Sequence, residues 1–283
     1  AIKENSGLAG DSEDDIGRLL HSMGNSFRAL RRFKEAEEKY DTAFNKRLSV
    51  QGNLNELGLL LLDKAGVHMD VGEMKGAIAI CREILKEGYF EPNSWELGQT
   101  LQRTGRAFIA EGLTADALQA LQRAVETFEI CIQLENCKII NEGMHQDLIN
   151  TYEDLFNLPA MTNVHLKGKR GELCYKIADS YVQTGKHEKA LQWFTVGLRR
   201  HAELLGEDHP TVAQGYFNKG NCSLFVGNVT EAIQCLEKSL QLYVDALGED
   251  NIFVADTYFS LAHATERNSD FRQASSLYER SYA

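Results

Sequence analysis

The sequence lacks the features by which an enzyme or a metalloprotein is usually recognised. Its 283 residues include only three prolines, too few for a proline-rich disordered chain, and its six cysteines form no CxxC pair of the kind found in zinc and redox sites. A phosphate-binding glycine loop, an HExxH motif and a GxSxG motif are absent, and the eight histidines are scattered singly. We therefore predict no enzymatic activity, no catalytic residue, no metal site and no cofactor.

Long apolar runs and an excess of positive charge are also missing. No run of about 18 apolar residues could cross a bilayer, and no signal peptide is recognisable, so we expect no membrane span. The net charge at pH 7 is −11, whereas nucleic-acid binding relies on lysine and arginine to neutralise phosphates. We expect neither a membrane nor a nucleic acid as a direct partner.

The cysteines bear on the cellular location. Cys81 and Cys174 fall on core positions of the repeat described next, which predicts buried, unreactive thiols in a reducing compartment. The cytoplasm is therefore the expected location. The basic run Lys167-Gly168-Lys169-Arg170 leaves a nuclear location open.

In place of these features the sequence has an internal repeat. Leu205-Gly206-Glu207-Asp208 returns 42 residues later as Leu247-Gly248-Glu249-Asp250. A small residue also precedes an alanine by twelve positions in six places: Gly24/Ala36, Ala65/Ala77, Gly105/Ala117, Ala178/Ala190, Gly220/Ala232 and Ala262/Ala274. We predict six helical hairpins, in which the small residue allows two helices to cross closely.

Two further positions of the repeat support this interpretation. The seventh residue of the interval is where a left-handed residue would end the first helix, and it is Gly72, Gly112, Gly185 and Gly227 in four hairpins, Arg31 and Ser269 in the other two. Four residues after the alanine comes a larger residue, one helical turn on and therefore on the same face: Tyr40, Cys81, Leu121, Phe194, Leu236 and Tyr278. These larger residues are predicted to form the core.

The repeat divides the chain into four segments. We predict a flexible N-terminal segment at 1–11, hairpins one to three at 12–130, an irregular helical insertion at 131–168 and hairpins four to six at 169–283. The insertion is predicted because Ala117 and Ala190 are 73 residues apart, where the other alanines are 40 to 42 apart. It contains one amphipathic helix that ends before Pro159, and is either an extra helix or a degenerate hairpin.

The spacing resembles that of the tetratricopeptide repeat. The residues that match the signature of that family are Leu20, Met23, Gly24, Phe27, Ala36, Tyr40 and Ala43 in the first hairpin, and Ile177, Ala178, Tyr181, Ala190 and Phe194 in the fourth. The 42-residue unit with its Leu-Gly-Glu-Asp-His-Pro segment is similar to the extended repeats of kinesin light chain. The resemblance implies an all-α fold, a right-handed α-α superhelix or solenoid of hairpins. It also implies a non-enzymatic adaptor or scaffold that binds a partner peptide or helix in a concave groove lined by the first helices.

The groove positions that the packing pattern leaves free give the candidate peptide-binding residues. They are Asn25 and Arg28 in the first hairpin, Arg103 and Arg106 in the third, Tyr175 and Lys176 in the fourth, Phe217, Asn218 and Asn221 in the fifth, and His263 in the sixth. Guanidinium groups suit carboxylates, and asparagine can bond a peptide backbone as donor and acceptor. The predicted protein or peptide partner is therefore an acidic or mixed linear motif.

Two other functions remain open at this stage. The chain could be a structural subunit of a larger assembly, with contacts through the insertion at 131–168 and an open end of the repeat array. It could also be a nuclear reader of a basic tail, which would depend on the groove acids Asp63, Asp179 and Asp256.

Overall fold

The computed structural model describes residues 5–49, 53–134, 142–162 and 166–282, and this part of the chain is built from helices without a β-strand. The α-helices of these residues are α1 (Asn5–Ala29), α2 (Phe33–Ser49), α3 (Leu54–Val71), α4 (Met74–Glu87), α5 (Trp95–Ala110), α6 (Thr114–Leu134), α7 (Glu142–Asn157), α8 (Lys167–Gln183), α9 (His187–Leu205), α10 (Pro210–Val226), α11 (Val229–Leu247), α12 (Ile252–Arg267) and α13 (Phe271–Tyr282). A short 3-10 helix (Pro159–Thr162) follows α7. The all-α prediction is confirmed.

The helices form two compact units, residues 1–140 and 141–283. Unit 1 contains the hairpins α1/α2, α3/α4 and α5/α6, and unit 2 contains α7 and the hairpins α8/α9, α10/α11 and α12/α13. Within each unit a helix packs mainly on its neighbours in the chain. This is the contact pattern of a repeat array, in which each hairpin buries its apolar side against the next.

The small residue of each hairpin lies where the two helices cross. A Cβ atom added to Gly24 would be 2.5 Å from the Tyr40 ring, and one added to Gly105 would be 2.6 Å from Leu121. Tyr40 and Leu121 are 1% and 0% exposed, so neither side chain has free space to move into. The predicted role of the small residue is confirmed, and the side chain that it accommodates is the larger core residue rather than the alanine.

The turn inside each hairpin has the predicted left-handed residue. Gly72 has φ 91°, and the amide of the next residue, Glu73, donates to the His68 carbonyl, which closes the end of α3. Arg31 (φ 58°) and Ser269 (φ 65°) adopt the same conformation without being glycine. A side chain in this region of backbone space costs about 1–2 kcal/mol.

Helix α1 extends into the N-terminal segment at 1–11. The sequence predicts that this segment is flexible, and α1 begins within it at Asn5. No proline lies within 1–11 to interrupt a helix there.

The predicted insertion at 131–168 contains α7 and the 3-10 helix. Helix α6 extends to Leu134 and α8 begins at Lys167, which leaves α7 as the one α-helix that the structure describes wholly within these limits. Its apolar residues Leu148, Ile149, Tyr152, Leu155 and Phe156 are all buried. Helix α7 packs against α8, as the second helix of one hairpin packs against the first helix of the next. It therefore fits the interpretation as an extra helix, and residues 135–141 lie outside the described part of the chain.

Five cysteines lie in the described residues, and all of them are buried and form no disulfide: Cys81, Cys131, Cys174, Cys222 and Cys235. Cys81 and Cys174 are 0% exposed, as predicted for core positions. Burial raises the pKa of Cys174 and of Cys222 to about 11. These thiols are therefore protonated and unreactive near neutral pH.

Candidate peptide-binding faces

The first helices of successive hairpins come together on one side of each unit. Helix α1 contacts α3, α3 contacts α5, and in the other unit α10 contacts α12. We call the surface of α1, α3 and α5 the unit 1 face, and the surface of α8, α10 and α12 the unit 2 face. The ten candidate residues belong to these helices.

A carboxylate contacted by one histidine and two arginines dominates the unit 1 face. Asp63 of α3 lies 2.9 Å from His21 Nε2, 3.9 Å from Arg28 Nη1 and 3.7 Å from Arg103 Nη1. Its side chain is 24% exposed, so these interactions are only partly screened by water. The partners come from α1 and α5, on either side of α3 in the chain.

The candidate residues of the unit 1 face have further partners. Arg28 Nε donates a hydrogen bond to Asp70 Oδ2 at 2.6 Å; burial opposes its charge, but this bond raises the pKa of Arg28 overall. Arg103 Nη1 donates to the carbonyl oxygen of Leu62. The hydroxyl of Tyr40 donates to Asn25 Oδ1 at 2.6 Å.

At least three of the four candidates in this unit are therefore bonded to the protein itself. Arg106, the fourth, is partly buried on α5 and lies one turn beyond Arg103.

The unit 2 face has a different polar chemistry. Asn218 and Asn221 of α10 are partly buried, and neither side-chain amide forms a hydrogen bond with another described residue. His263 of α12 is exposed, and Phe217 packs its ring partly against the core of the unit. Lys176 of α8 is exposed, with its Nζ 5.7 Å from the centre of the Tyr152 ring. This face thus combines unpaired amides with an apolar base.

Tyr175 requires a correction, because it is not available on the unit 2 face. It is only 9% exposed, and its ring fills the space left by Gly197 and Gly215, where added Cβ atoms would overlap it. It also contacts the His201 ring edge-on, with the centroids 4.9 Å apart. Burial raises its pKa, and its hydroxyl is buried without a hydrogen-bond partner. The two glycines on other helices make Tyr175 a core residue.

The ion pairs of unit 1 were missed at the sequence level, although a signal for them exists. His21 and Asp63 are 42 residues apart, and so are Arg28 and Asp70. The repeat interval between these two hairpins is 41 residues, from Gly24 to Ala65, so each pair lies within one residue of equivalent positions on neighbouring first helices, where unlike charges can meet. A search for such pairs would have found the cluster.

The described ranges contain neither a membrane-spanning helix nor a cluster of metal ligands. No helix there combines the length and the apolar character needed to span a membrane. Histidine, cysteine and acidic side chains in the same part of the chain form no group of three that could hold a metal ion.

Comparison with protein families gives two adjoining matches. Models of the tetratricopeptide repeat match residues 174–211 and residues 211–283. None of the curated proteins matches the sequence.

Solved structures with a similar arrangement of helices share little sequence with this chain. BtubC (BKLC) from P. vanneervenii is 16% identical, with 90% of this chain and 89% of that chain covered and a TM-score of 0.41. A Podosopora anserina protein described as a kinesin light chain with nearly identical TPR-like repeats is also 16% identical, with 78% and 92% covered and a TM-score of 0.41. The TPR2AB domain of yeast Sti1, in a pHSP90 complex, is 18% identical, with 98% and 100% covered and a TM-score of 0.35.

Proposed function

We propose that the chain is a tetratricopeptide-repeat protein, since models of that repeat match residues 174–283, and that it is a non-enzymatic adaptor or scaffold that binds a partner peptide on a face of its first helices. The described cysteines, none of which forms a disulfide, support the cytoplasm as the location that we propose with it.

The observation that carries the proposal is the pair of unbonded asparagines on α10. Asn218 and Asn221 are three residues apart, which places them on the same side of the helix. Neither amide is among the polar atoms that the protein encloses, so the donor and acceptor groups of both remain accessible to a ligand. An extended peptide offers the missing groups, since each asparagine can accept from a backbone N–H and donate to a backbone C=O.

The charges of the unit 1 face favour a mixed motif over a purely acidic one. An acidic side chain of a partner would have to displace Asp63 or Asp70 from Arg28 and Arg103. On the unit 2 face, a peptide that bonds the asparagines does not have to displace a partner within the protein. We therefore propose that the partner peptide makes its main contacts with the unit 2 face, and that its acidic residues are secondary.

The experiment is a peptide-array screen of the whole chain at two salt concentrations, followed by calorimetric titration of the strongest binder. We expect the double variant Asn218→Ala/Asn221→Ala to bind at least about tenfold more weakly, because hydrogen bonds at both amides are lost. Asn228→Ala makes the same chemical change in the exposed turn before α11 and is expected to stay within about twofold of the wild type.

Two results would contradict the proposal. Binders that tolerate the double variant would remove the unit 2 face from recognition. An array without any binder would instead favour a structural subunit that contacts its partners through other surfaces.

A further inference from the structure

Two arginines of unit 2 converge on one aromatic ring. The Cζ atoms of Arg170 on α8 and Arg200 on α9 lie 4.4 and 5.1 Å from the centre of the Phe156 ring on α7. Burial, and then the nearby charge of Arg200, lowers the pKa of Arg170 below its ordinary value. Trp193 contacts the Phe156 ring edge-on, with the ring centres 5.1 Å apart. Both guanidinium groups thus lie against one ring, near enough that the charge of Arg200 acts on Arg170 and the charges of both act on Cys174.

The two guanidinium groups have no counter-charge among the described residues. Neither lies within 4.0 Å of a carboxylate there. The Nε–H group of each is buried without a hydrogen-bond acceptor. Arg28 and Arg103 of unit 1, by contrast, each lie beside a carboxylate of the chain. Because the protein encloses these two Nε–H groups, a ligand can meet only the terminal Nη groups. Two neighbouring guanidinium charges without a counter-charge are unfavourable unless another molecule supplies one.

The start of α8 adds to this positive region. The helix begins with the basic run at residues 167–170, it has no acidic residue in its first turn, and the side chain before it, Leu166, makes no capping hydrogen bond. Helix N-termini favour negative charge, so a basic first turn opposes the local preference.

We propose that Arg170 and Arg200 form a binding site for a phosphate monoester, such as the phosphorylated serine or threonine of a partner. Two guanidinium forks match a doubly charged group with three acceptor oxygens, and a carboxylate would neutralise only half of their charge. Both side chains are partly buried and still reach the surface, so a ligand can approach them. The site lies on α7, α8 and α9 and shares no residue with the asparagine pair of α10, so it is a function beyond peptide capture on the unit 2 face.

The test uses the whole chain labelled with nitrogen-15 and follows the Nε–H resonances of the arginines. The probes are inorganic phosphate and three Gly-Ser peptides that carry one phosphoserine, one serine or one glutamate at the same position. We expect the phosphoserine peptide to shift the signals of Arg170 and Arg200 to saturation and the serine peptide to leave them unchanged. Inorganic phosphate that binds at least as tightly as the phosphoserine peptide would identify the free ion as the ligand. A glutamate peptide that binds as tightly as the phosphoserine peptide would overturn the preference for phosphate.

Two variants distinguish binding at Arg170 and Arg200 from a general attraction between the phosphate and positive charge on the protein. Arg200→Gln is expected to weaken phosphoserine binding at least about tenfold, because a charge-assisted pair of hydrogen bonds is lost. Arg199→Gln is the matched control: it removes the same charge from the neighbouring position, where the side chain is 68% exposed and pairs with Glu203. It is expected to stay within about twofold of the wild type.

Arg170→Gln gives an independent second test if Arg200→Gln does not fold, as judged by its thermal unfolding. Equal losses in Arg199→Gln and Arg200→Gln would overturn the proposal, and so would Nε–H signals that none of the probes moves.

Discussion

The unit 1 face and the unit 2 face are built from the same kind of helical hairpin, yet they use polar groups in opposite ways. On the unit 1 face Asp63 and Asp70 hold the cationic side chains of the neighbouring helices. On the unit 2 face the amides of Asn218 and Asn221 have no partner among the described residues. The difference teaches that one backbone repeat can use its equivalent positions for internal stability in one unit and leave them open for recognition in another.

The largest effect is expected from removing the carboxylate at the centre of the unit 1 face. Asp63→Ala removes the carboxylate that His21, Arg28 and Arg103 share, which is expected to cost about 2 kcal/mol in the free energy of unfolding of unit 1. Urea unfolding measures it by fluorescence, because Trp95 is in unit 1 and Trp193 is in unit 2. A Trp193→Phe background leaves Trp95 as the reporter of unit 1.

The matched control for this prediction is Asp256→Ala on the unit 2 face, observed through Trp193 in a Trp95→Phe background. Asp256 is exposed and has no ion pair with a described residue, so its loss is expected to stay within about 0.5 kcal/mol. A higher salt concentration should reduce the difference between the stability losses of Asp63→Ala and Asp256→Ala, since salt screens the ion pairs of unit 1. Equal losses at low salt would abolish the distinction between the faces.

Raising the pH above 10 is expected to destabilise unit 2 more than unit 1, the opposite of the order expected for the aspartate variants. Burial raises the pKa of Tyr181 and Tyr243 to about 12 and that of Tyr175 further, all in unit 2, whereas in unit 1 burial raises that of Tyr40 to about 12. A tyrosine whose pKa is raised on folding contributes stability that is complete below its unfolded pKa of about 10 and is lost as the pH rises toward 12. Unit 2 is therefore expected to lose more than about 1 kcal/mol in excess of unit 1 over this range.

The same two tryptophan reporters measure the alkaline effect, by urea unfolding at a series of pH values. Tyr175→Phe serves as the control, because it removes one buried phenol whose hydroxyl has no partner. It is expected to reduce the excess loss of unit 2. A greater loss in unit 1 would show that its ion pairs, rather than the buried phenols, control the alkaline response.

The smallest change in stability is expected at the left-handed turn residues that are not glycine, one of which lies in each unit. Ser269→Gly in unit 2 and Arg31→Gly in unit 1 are each expected to stabilise the chain by about 0.5–1 kcal/mol, because glycine relieves the left-handed conformation at that position. Thermal unfolding of both variants measures the change in stability. Gly185→Ser is the reverse change, and it is expected to reduce the stability by a similar amount. Unequal gains would indicate that the two turns differ in more than backbone strain.

The sequence predicts the hairpins well because their packing is local and periodic. The small residue, the turn residue and the larger core residue recur at fixed intervals within one hairpin, and Gly24 and Tyr40 meet as that pattern requires. The left-handed conformation at Arg31 and Ser269 also follows from position alone, although neither residue type favours it. Such features depend on a single hairpin and not on its neighbours.

The candidate site could be predicted less completely, because side chains from separate hairpins determine it. Tyr175 is buried by Gly197 and Gly215, which lie on two other helices. The partners of Arg28 and Arg103 come from α3, one hairpin away along the chain. A list of exposed positions on one helix does not contain this information, whereas a comparison of positions one repeat apart does contain part of it.

The buried cysteines have a practical consequence. A thiol that is enclosed by the protein reacts with an alkylating reagent only while its surroundings are open, so the labelling rate measures local unfolding in the native protein. Cys81 and Cys131 sample unit 1, and Cys174, Cys222 and Cys235 sample unit 2. Mass spectrometry of the labelled peptides would therefore report how often each unit opens without any engineered probe.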